Sequence, residues 1–211
     1  MSKEKKGFFI TFEGADGVGK TTQINLLMDF FQGAGKASFA TREPGGTGVG
    51  EKVREILLDP EMEMVKRTET LLYLSARAEH VEKIILPKVE NGIIVLSDRF
   101  SDSTLVYQGI ARGLDVDTLI KINDFATNGL LPDLTFLLDA PVEELAKRMQ
   151  KRGKADRIEQ EGLKFQQLVR EGFLTLAKKY TERIIVIDAL QSVEKMQKSI
   201  REVIYSKLLK K

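Results

Sequence analysis

The 211-residue chain contains no cysteine. That excludes disulfides, thiolate catalysis and zinc-thiolate sites, and it is compatible with a reducing compartment. No apolar run is long enough to span a bilayer, and there is no internal repeat or low-complexity linker. Net charge is nearly absent as well. The 33 Lys+Arg against 31 Asp+Glu leave +2, which gives no bulk electrostatic reason to bind a nucleic-acid polymer or an anionic membrane, although basic residues can still cluster locally. The one histidine, His80, falls on a charged helix and reads as a surface residue without a role. What is left is one domain spanning residues 1–211, long enough to bury a substantial core without covalent staples. Met1 to Lys6 lead through a short apolar segment into the first motif, so a cleavable leader would remove that motif, and the expected location is the cytoplasm.

That motif is Gly14-Ala15-Asp16-Gly17-Val18-Gly19-Lys20-Thr21, the G-x-x-x-x-G-K-[ST] spacing of a phosphate-binding loop, with Thr22 beside it. Its glycines let backbone N–H groups curl around phosphate oxygens, Lys20 can reach the terminal phosphates, and the Thr21 hydroxyl can ligate magnesium. Gly7 to Glu13 reads as a buried strand running into the loop. Beyond it, Ile24, Leu27, Met28 and Phe31 form one apolar helical face. Strand, loop and helix together aim a helix N-terminus at an anion.

Further strands are expected at Ala37 to Thr41, Ile93 to Leu96, Leu134 to Asp139 and Arg183 to Asp188. Helices are expected at Glu51 to Leu58, Glu69 to Val89, Val116 to Asn128, Glu143 to Lys151, Ile158 to Tyr180 and Ser192 to Leu209. This alternation predicts an α/β fold with a mainly parallel five-stranded sheet flanked by helices, the phosphate-loop NTPase architecture. The segments near Tyr73 and around Gly153 are expected to be mobile outgrowths.

Ser97-Asp98-Arg99-Phe100 closes the third strand at its C-terminal end, where open α/β sheets bind ligands. Asp98 and Arg99 are therefore candidates for a nucleotide-bound magnesium and its phosphates, the alternative being that Asp98 caps the next helix. Tyr73 and Arg77, four residues apart on a helix, could sandwich and hydrogen-bond a flat base, or could be a core-edge tyrosine beside a solvated arginine. Arg42-Glu43-Pro44-Gly45-Gly46-Thr47 reads equally as a site loop or a surface turn. Lys147, Arg148, Lys151, Arg152, Lys154 and Arg157, interrupted by Gly153, read as a charged face or as a lid over about 148–159 that closes on phosphates.

Taken together, the chain resembles a thymidylate kinase along nearly its whole length. The matching pieces are Phe12-Glu13-Gly14, Thr41 to Thr47, the Tyr73 to Arg77 helix, Asp98-Arg99-Phe100 with Ser103 and Tyr107-Gln108, and Asp156-Arg157-Ile158-Glu159. The resemblance implies transfer of the ATP γ-phosphate to dTMP with magnesium, giving dTDP on the route to dTTP, by a homodimer. It implies that Glu13 accepts a hydrogen bond from the 3′-hydroxyl and that Arg54 and Arg99 hold the acceptor phosphate. Glu43 would lie near that phosphate and its metal, with a cis bond to Pro44. Tyr73 would stack on thymine, Arg77 would bond its carbonyl, Ser103, Thr104 and Gln108 would complete the pocket, and Tyr107 would crowd the ribose 2′ position. The implied metal ligands are Thr21, Asp98 and Glu43.

Some members of the family carry a basic residue inside the loop, where this chain has Ala15, Asp16, Gly17 and Val18. The missing cation is expected from the lid, so Arg148, Arg152 and Arg157 join Lys20 and Arg99 as catalytic candidates. Rival expectations are a related kinase acting on dUMP, AMP or shikimate, which predicts other residues at Tyr73, Arg77 and Gln108, and a switch ATPase, which leaves that constellation unexplained.

Overall fold

A computed structural model describes residues 7–149 and 157–209. Five strands form one sheet: β1 (Phe9–Glu13), β2 (Ser38–Arg42), β3 (Ile94–Asp98), β4 (Leu134–Asp139) and β5 (Ile184–Asp188). Their spatial order is β2-β3-β1-β4-β5 and every pairing is parallel. All five residues of β1 are buried, as a central parallel strand covered on both faces requires. The expected α/β architecture is therefore the observed one.

On one face Ile10, Phe12, Leu96 and Phe136 pack against Leu27 and Phe31 of α1 (Lys20–Gly33) and Ile200 and Ile204 of α9 (Val193–Ile204). On the other, Phe9 and Val95 meet Ile85, Val89 and Phe100. Near β4, Leu137 joins Val169, Phe173 and Leu176 of α8 (Gly162–Lys179). The order reverses at β1, whose neighbours β3 and β4 lead away to opposite edges, so the crevice above its C-terminal end is the expected ligand position. The register places Phe12 beside Asp98 and Asp98 beside Arg42, bringing the ends of β1, β2 and β3 to one level.

Three remaining pieces shape the crevice. The helix α2 (Gly48–Leu58) is capped by Thr47, whose hydroxyl accepts from Gly50 N. Next, α3 (Lys66–His80) continues without a break through a π-helical turn (Val81–Ile85) into α4 (Leu86–Glu90). The Tyr73 segment is thus no outgrowth: α3 packs against α2 and α6 (Val116–Thr127), and Leu74, Ala76, Arg77 and His80 are buried. The polar stretch after Phe100 is also more regular than its sequence suggests, forming α5 (Ser101–Thr104) and a π-helical segment (Leu105–Ala111). Ser103, Thr104 and Gln108 bond to the side chains of Glu13, Arg77 and Glu69 instead of facing water, which hides any amphipathic period. Arg152 and the Gly153 segment lie outside the described residues, and α7 (Val142–Met149) carries Arg148 near its C-terminal end.

Candidate active site

Gly14 opens the phosphate loop with φ of 129°, and a Cβ there would collide with the Leu138 carbonyl oxygen, so the turn requires glycine. Lys20 is buried. Its Nζ donates to the carbonyls of Gly14 at 3.1 Å and Ala15 at 3.2 Å and lies 3.8 Å from Asp98. Burial, then the neighbouring Arg99 charge, hold the Lys20 ammonium below its ordinary pKa. Thr21 Oγ1 donates to Asp98 Oδ2 at 3.0 Å. Asp98 therefore serves the loop and does not cap α5, at whose N-terminus Phe100 makes no side-chain cap.

Arg99 adopts the left-handed region at φ of 70°, which a non-glycine residue enters only under constraint from its surroundings. That backbone turns its side chain onto the loop, where it donates to Gly14 O at 3.0 Å, Asp16 Oδ1 at 2.8 Å and Ser103 Oγ at 3.3 Å. Glu13 lies beneath, fully buried, accepting from Phe100 N at 2.8 Å and Ser103 Oγ at 2.6 Å. Burial and the nearby Asp102 carboxylate push Glu13 up to about 7, with Arg99 and Ser103 pulling the other way. Asp102 is itself held by both terminal nitrogens of Arg183.

Two adjoining cavities share Asp16, Glu43, Arg54 and Arg99 as a common wall. The first continues over Gly17, Gly19, Lys20, Thr21, Thr22 and Asp98. The second runs past Tyr73, Arg77, Ser103, Thr104, Tyr107 and Gln108 to Leu58 and Ile158. The Tyr107 hydroxyl is buried without a hydrogen-bond partner among the described residues, and burial raises its pKa, which keeps it a donor. The peptide bond between Glu43 and Pro44 is cis, as the resemblance implies. Glu43 and Pro44 are buried, which removes the surface-turn alternative for this loop. Arg54 Nη1 donates to the Pro44 carbonyl at 2.9 Å.

Arg77 is 2% exposed, so the solvated-arginine alternative fails. Its Nε donates to Glu43 Oε2 at 2.7 Å, Nη1 to Thr104 Oγ1 and Asn123 Oδ1, both at 2.7 Å, and Nη2 to the Phe100 carbonyl at 3.1 Å. The other Glu43 oxygen faces His80. Burial raises the Glu43 pKa, but the Arg77 and His80 contacts outweigh it and leave the carboxyl below its usual range. His80 is fully buried, contrary to its sequence reading as a surface residue. An alternation of charged residues around it conceals that it faces inward.

Glu69 was also missed. It is buried one turn before Tyr73, and its Oε1 accepts from Gln108 Nε2 at 2.8 Å and Arg112 Nε at 2.6 Å. Its Oε2 pairs with Arg157 at 2.6 Å, and Arg157 Nε donates to Leu57 O at 2.9 Å. Arg157 thus sits behind Gln108, on the other oxygen of the Glu69 carboxylate, does not line either cavity and is not brought to Lys20. Arg148 is likewise elsewhere, donating to the Ala189 carbonyl at 3.2 Å. Ala15 and Val18 are packed into the core beneath the loop, and they, Gly14 and Glu13 line neither of the two cavities.

The arrangement can seat a polyphosphate on the loop and a flat polar ring between Tyr73, Arg77 and Gln108, with cations between them. A family model described as thymidylate kinase matches residues 12–200. A thymidylate kinase of Thermoanaerobacter sp. strain X514 is 50% identical over 199 residues, covering 94% of this chain and 98% of that protein. One from Exiguobacterium sp. strain ATCC BAA-1283 / AT1b is 49% identical over 195 residues, 92% of each chain. Another from Sulfurihydrogenibium sp. strain YO3AOP1 is 48% identical over 195 residues, covering 92% of this chain and 95% of that protein.

Proposed function

The chain belongs to the thymidylate kinase family, and on that premise we propose that it transfers the γ-phosphate of ATP to dTMP, yielding dTDP and ADP. The observation that carries this reading is the shared wall. Asp16, Glu43, Arg54 and Arg99 border both cavities, so a donor phosphate on the loop and an acceptor phosphate above Tyr73 would meet there. No covalent intermediate is needed. An oxygen of the dTMP phosphate attacks the γ-phosphorus, the bond to the β,γ-bridging oxygen breaks, and that oxygen leaves on ADP.

The chain's own groups supply alignment and charge. Lys20 would exchange its two loop carbonyls for phosphate oxygens, and Arg99 would give up part of its pairing with Asp16 to reach the transferred group. Arg54, anchored on Pro44, would hold the acceptor phosphate in line. Tyr73 would stack on thymine, Arg77 and Gln108 would read its polar edge, and the unpartnered Tyr107 hydroxyl would meet the sugar side. Glu13 and Ser103 would take the 3′-hydroxyl. A site built to pair with these edges leaves buried polar groups unpaired when a different base enters, which is a physical source of selectivity.

Thr21 and Asp98 are hard oxygen donors 3.0 Å apart at the mouth of the loop, a donor set suited to Mg2+. Among the described residues no cluster of three acidic or histidine ligands could hold a metal alone, so phosphates and water would complete its shell, with Glu43 nearby at the acceptor side. When bound, the ion would neutralise phosphate charge. Arg152 stays a candidate on sequence grounds, whereas Arg148 and Arg157 would have to leave their present partners to touch phosphate.

The exposed Phe125 on α6 and Leu71 on α3, 89% and 63% exposed on helices that pack together, support a second copy of the chain as partner. A solution mass of twice the chain at micromolar concentration is the expected result, and a monomer would contradict it. No helix among the described residues is long and apolar enough to cross a membrane, and a cytoplasmic site of action accords with the substrates. The activity itself is tested by magnesium-dependent diphosphate formation from ATP with dTMP, dUMP, thymidine ribonucleotide, AMP, CMP and GMP as acceptors. Preference for dTMP is expected. Preference for another acceptor would overturn Tyr73, Arg77, Tyr107 and Gln108 as a thymidine pocket, and hydrolysis without transfer would favour a switch ATPase.

A further inference from the structure

His80 is the single histidine of the chain and is fully buried at the end of α3. Its Nδ1 lies 3.0 Å from Glu43 Oε1 and its Nε2 lies 2.7 Å from Thr41 Oγ1. The Glu43 carboxylate, paired through its other oxygen with the Arg77 guanidinium at 2.7 Å, is an acceptor only, so the proton of this bond belongs to Nδ1. The loop is shaped around the ring. Gly46 has φ of 79°, and a Cβ there would come within 2.6 Å of Nε2. Glu43 stands where the two cavities meet, and its second oxygen accepts from Nε of Arg77, whose Nη1 and Nη2 are tied to Thr104, Asn123 and the Phe100 carbonyl.

We propose that His80 is a positioning residue of the acceptor site. Its Nδ1–H fixes the Glu43 carboxylate, and Glu43 in turn fixes the Arg77 guanidinium that reads the acceptor's base. The chemistry suits the task. A carboxylate with one cation on one oxygen needs a donor on the other to stay in a single orientation, and the ring Nδ1–H supplies that donor. The imidazole also anchors this pair to β2 through Thr41, so the acceptor wall is referenced to the sheet that carries the phosphate loop.

This inference rests on the dTMP reading above, and its test separates the two. The Asn amide nitrogen occupies about the place of Nδ1, and the Gln amide nitrogen about that of Nε2, so His80→Asn keeps the link to Glu43 whereas His80→Gln keeps only that to Thr41. Steady-state kinetics with dTMP varied should show kcat/KM for dTMP falling more than tenfold in His80→Gln, with His80→Asn within about threefold of the parent. The KM for ATP should be unchanged in both. Equal loss in the two variants, or loss in proportion to their melting temperatures alone, would make His80 merely structural and overturn the proposal.

A second readout uses the parent protein and needs no variant to fold. The imidazole Nδ1–H resonance of the sole histidine, assigned by ¹H–¹⁵N NMR, should shift when dTMP saturates the enzyme. An unmoved signal during proven dTMP binding would refute coupling of His80 to the acceptor. A parent enzyme that neither binds nor phosphorylates dTMP would remove the dTMP reading and this inference together.

Discussion

The two cavities that meet at Glu43 and Arg99 are built on opposite principles. At the base end Arg77 is locked: each of its nitrogens donates to a protein acceptor, and those acceptors come from the Glu43 loop, α5, α6 and the Phe100 carbonyl. At the phosphate end the cations are parked. Lys20 rests on two carbonyls of its own loop and Arg99 on Gly14 and Asp16, contacts that an incoming phosphate can replace with stronger charge-assisted ones. A base differs from its competitors by a few polar atoms, so its reader must be rigid before the ligand arrives. Phosphate offers charge on many oxygens, so its binders gain by being movable over a short distance.

The largest effect expected from breaking this division is at Lys20. Lys20→Ala should lower turnover about 10³-fold, the scale on which loss of one transition-state donor is felt. Rapid-quench measurement of dTDP formation checks it, and near-normal turnover would take Lys20 off the catalytic set. Arg77→Met should act at the other end, reducing kcat/KM for dTMP about 10²-fold. It would also strand Glu43 as a buried charge against His80 alone, a loss of about 3–5 kcal/mol of stability that chemical denaturation would detect.

Arg157→Ala sharpens the comparison, since sequence alone places Arg157 with the phosphates whereas the structure pairs it with Glu69 behind Gln108. A rise of about tenfold in the KM for dTMP with a smaller change in kcat is expected, on the scale of one lost charged hydrogen bond. A fall in kcat at constant KM would return Arg157 to the transferred group.

The smallest effect is one of pH. Burial beside Asp102 lifts Glu13 from 4.5 to about 7, so the folded chain binds this proton more tightly than the unfolded chain does. Its contribution is therefore most favourable below about 4.5 and diminishes as pH rises through 7. Between pH 5 and 8 the melting temperature of the parent should drop relative to that of Glu13→Gln, and parallel curves would show that Glu13 titrates normally.

Much of this was legible in the sequence, and what was not has a common cause. The loop, its strand and helix, Asp98 and Arg99 are marked by local spacing, and strand alternation with helices is enough to give the parallel sheet. Arg77 and Tyr73 share a face by helical periodicity, but only packing decides whether that face looks inward. His80 and Glu69 went unread because their partners are remote: Glu43 and Thr41 lie 37 and 39 residues from His80, and Gln108 lies 39 from Glu69. On a helix rich in charge, a buried acid or imidazole looks like its solvated neighbours until the tertiary partners are known. The same distance accounts for Arg157, whose basic run suggested phosphate while the carboxylate it pairs with, Glu69, lies on α3.

The division of labour between the two cavities is tested most directly by titrating dTMP calorimetrically into Lys20→Ala and Arg77→Met. The predicted result is that Lys20→Ala binds dTMP as the parent does, within about threefold, the spread expected for a cation that acts on the transferred group, while Arg77→Met binds it far more weakly. If Lys20→Ala lost dTMP binding and Arg77→Met kept it, the phosphate end would be the acceptor's anchor, and the assignment of a locked base reader beside parked phosphate cations would be contradicted.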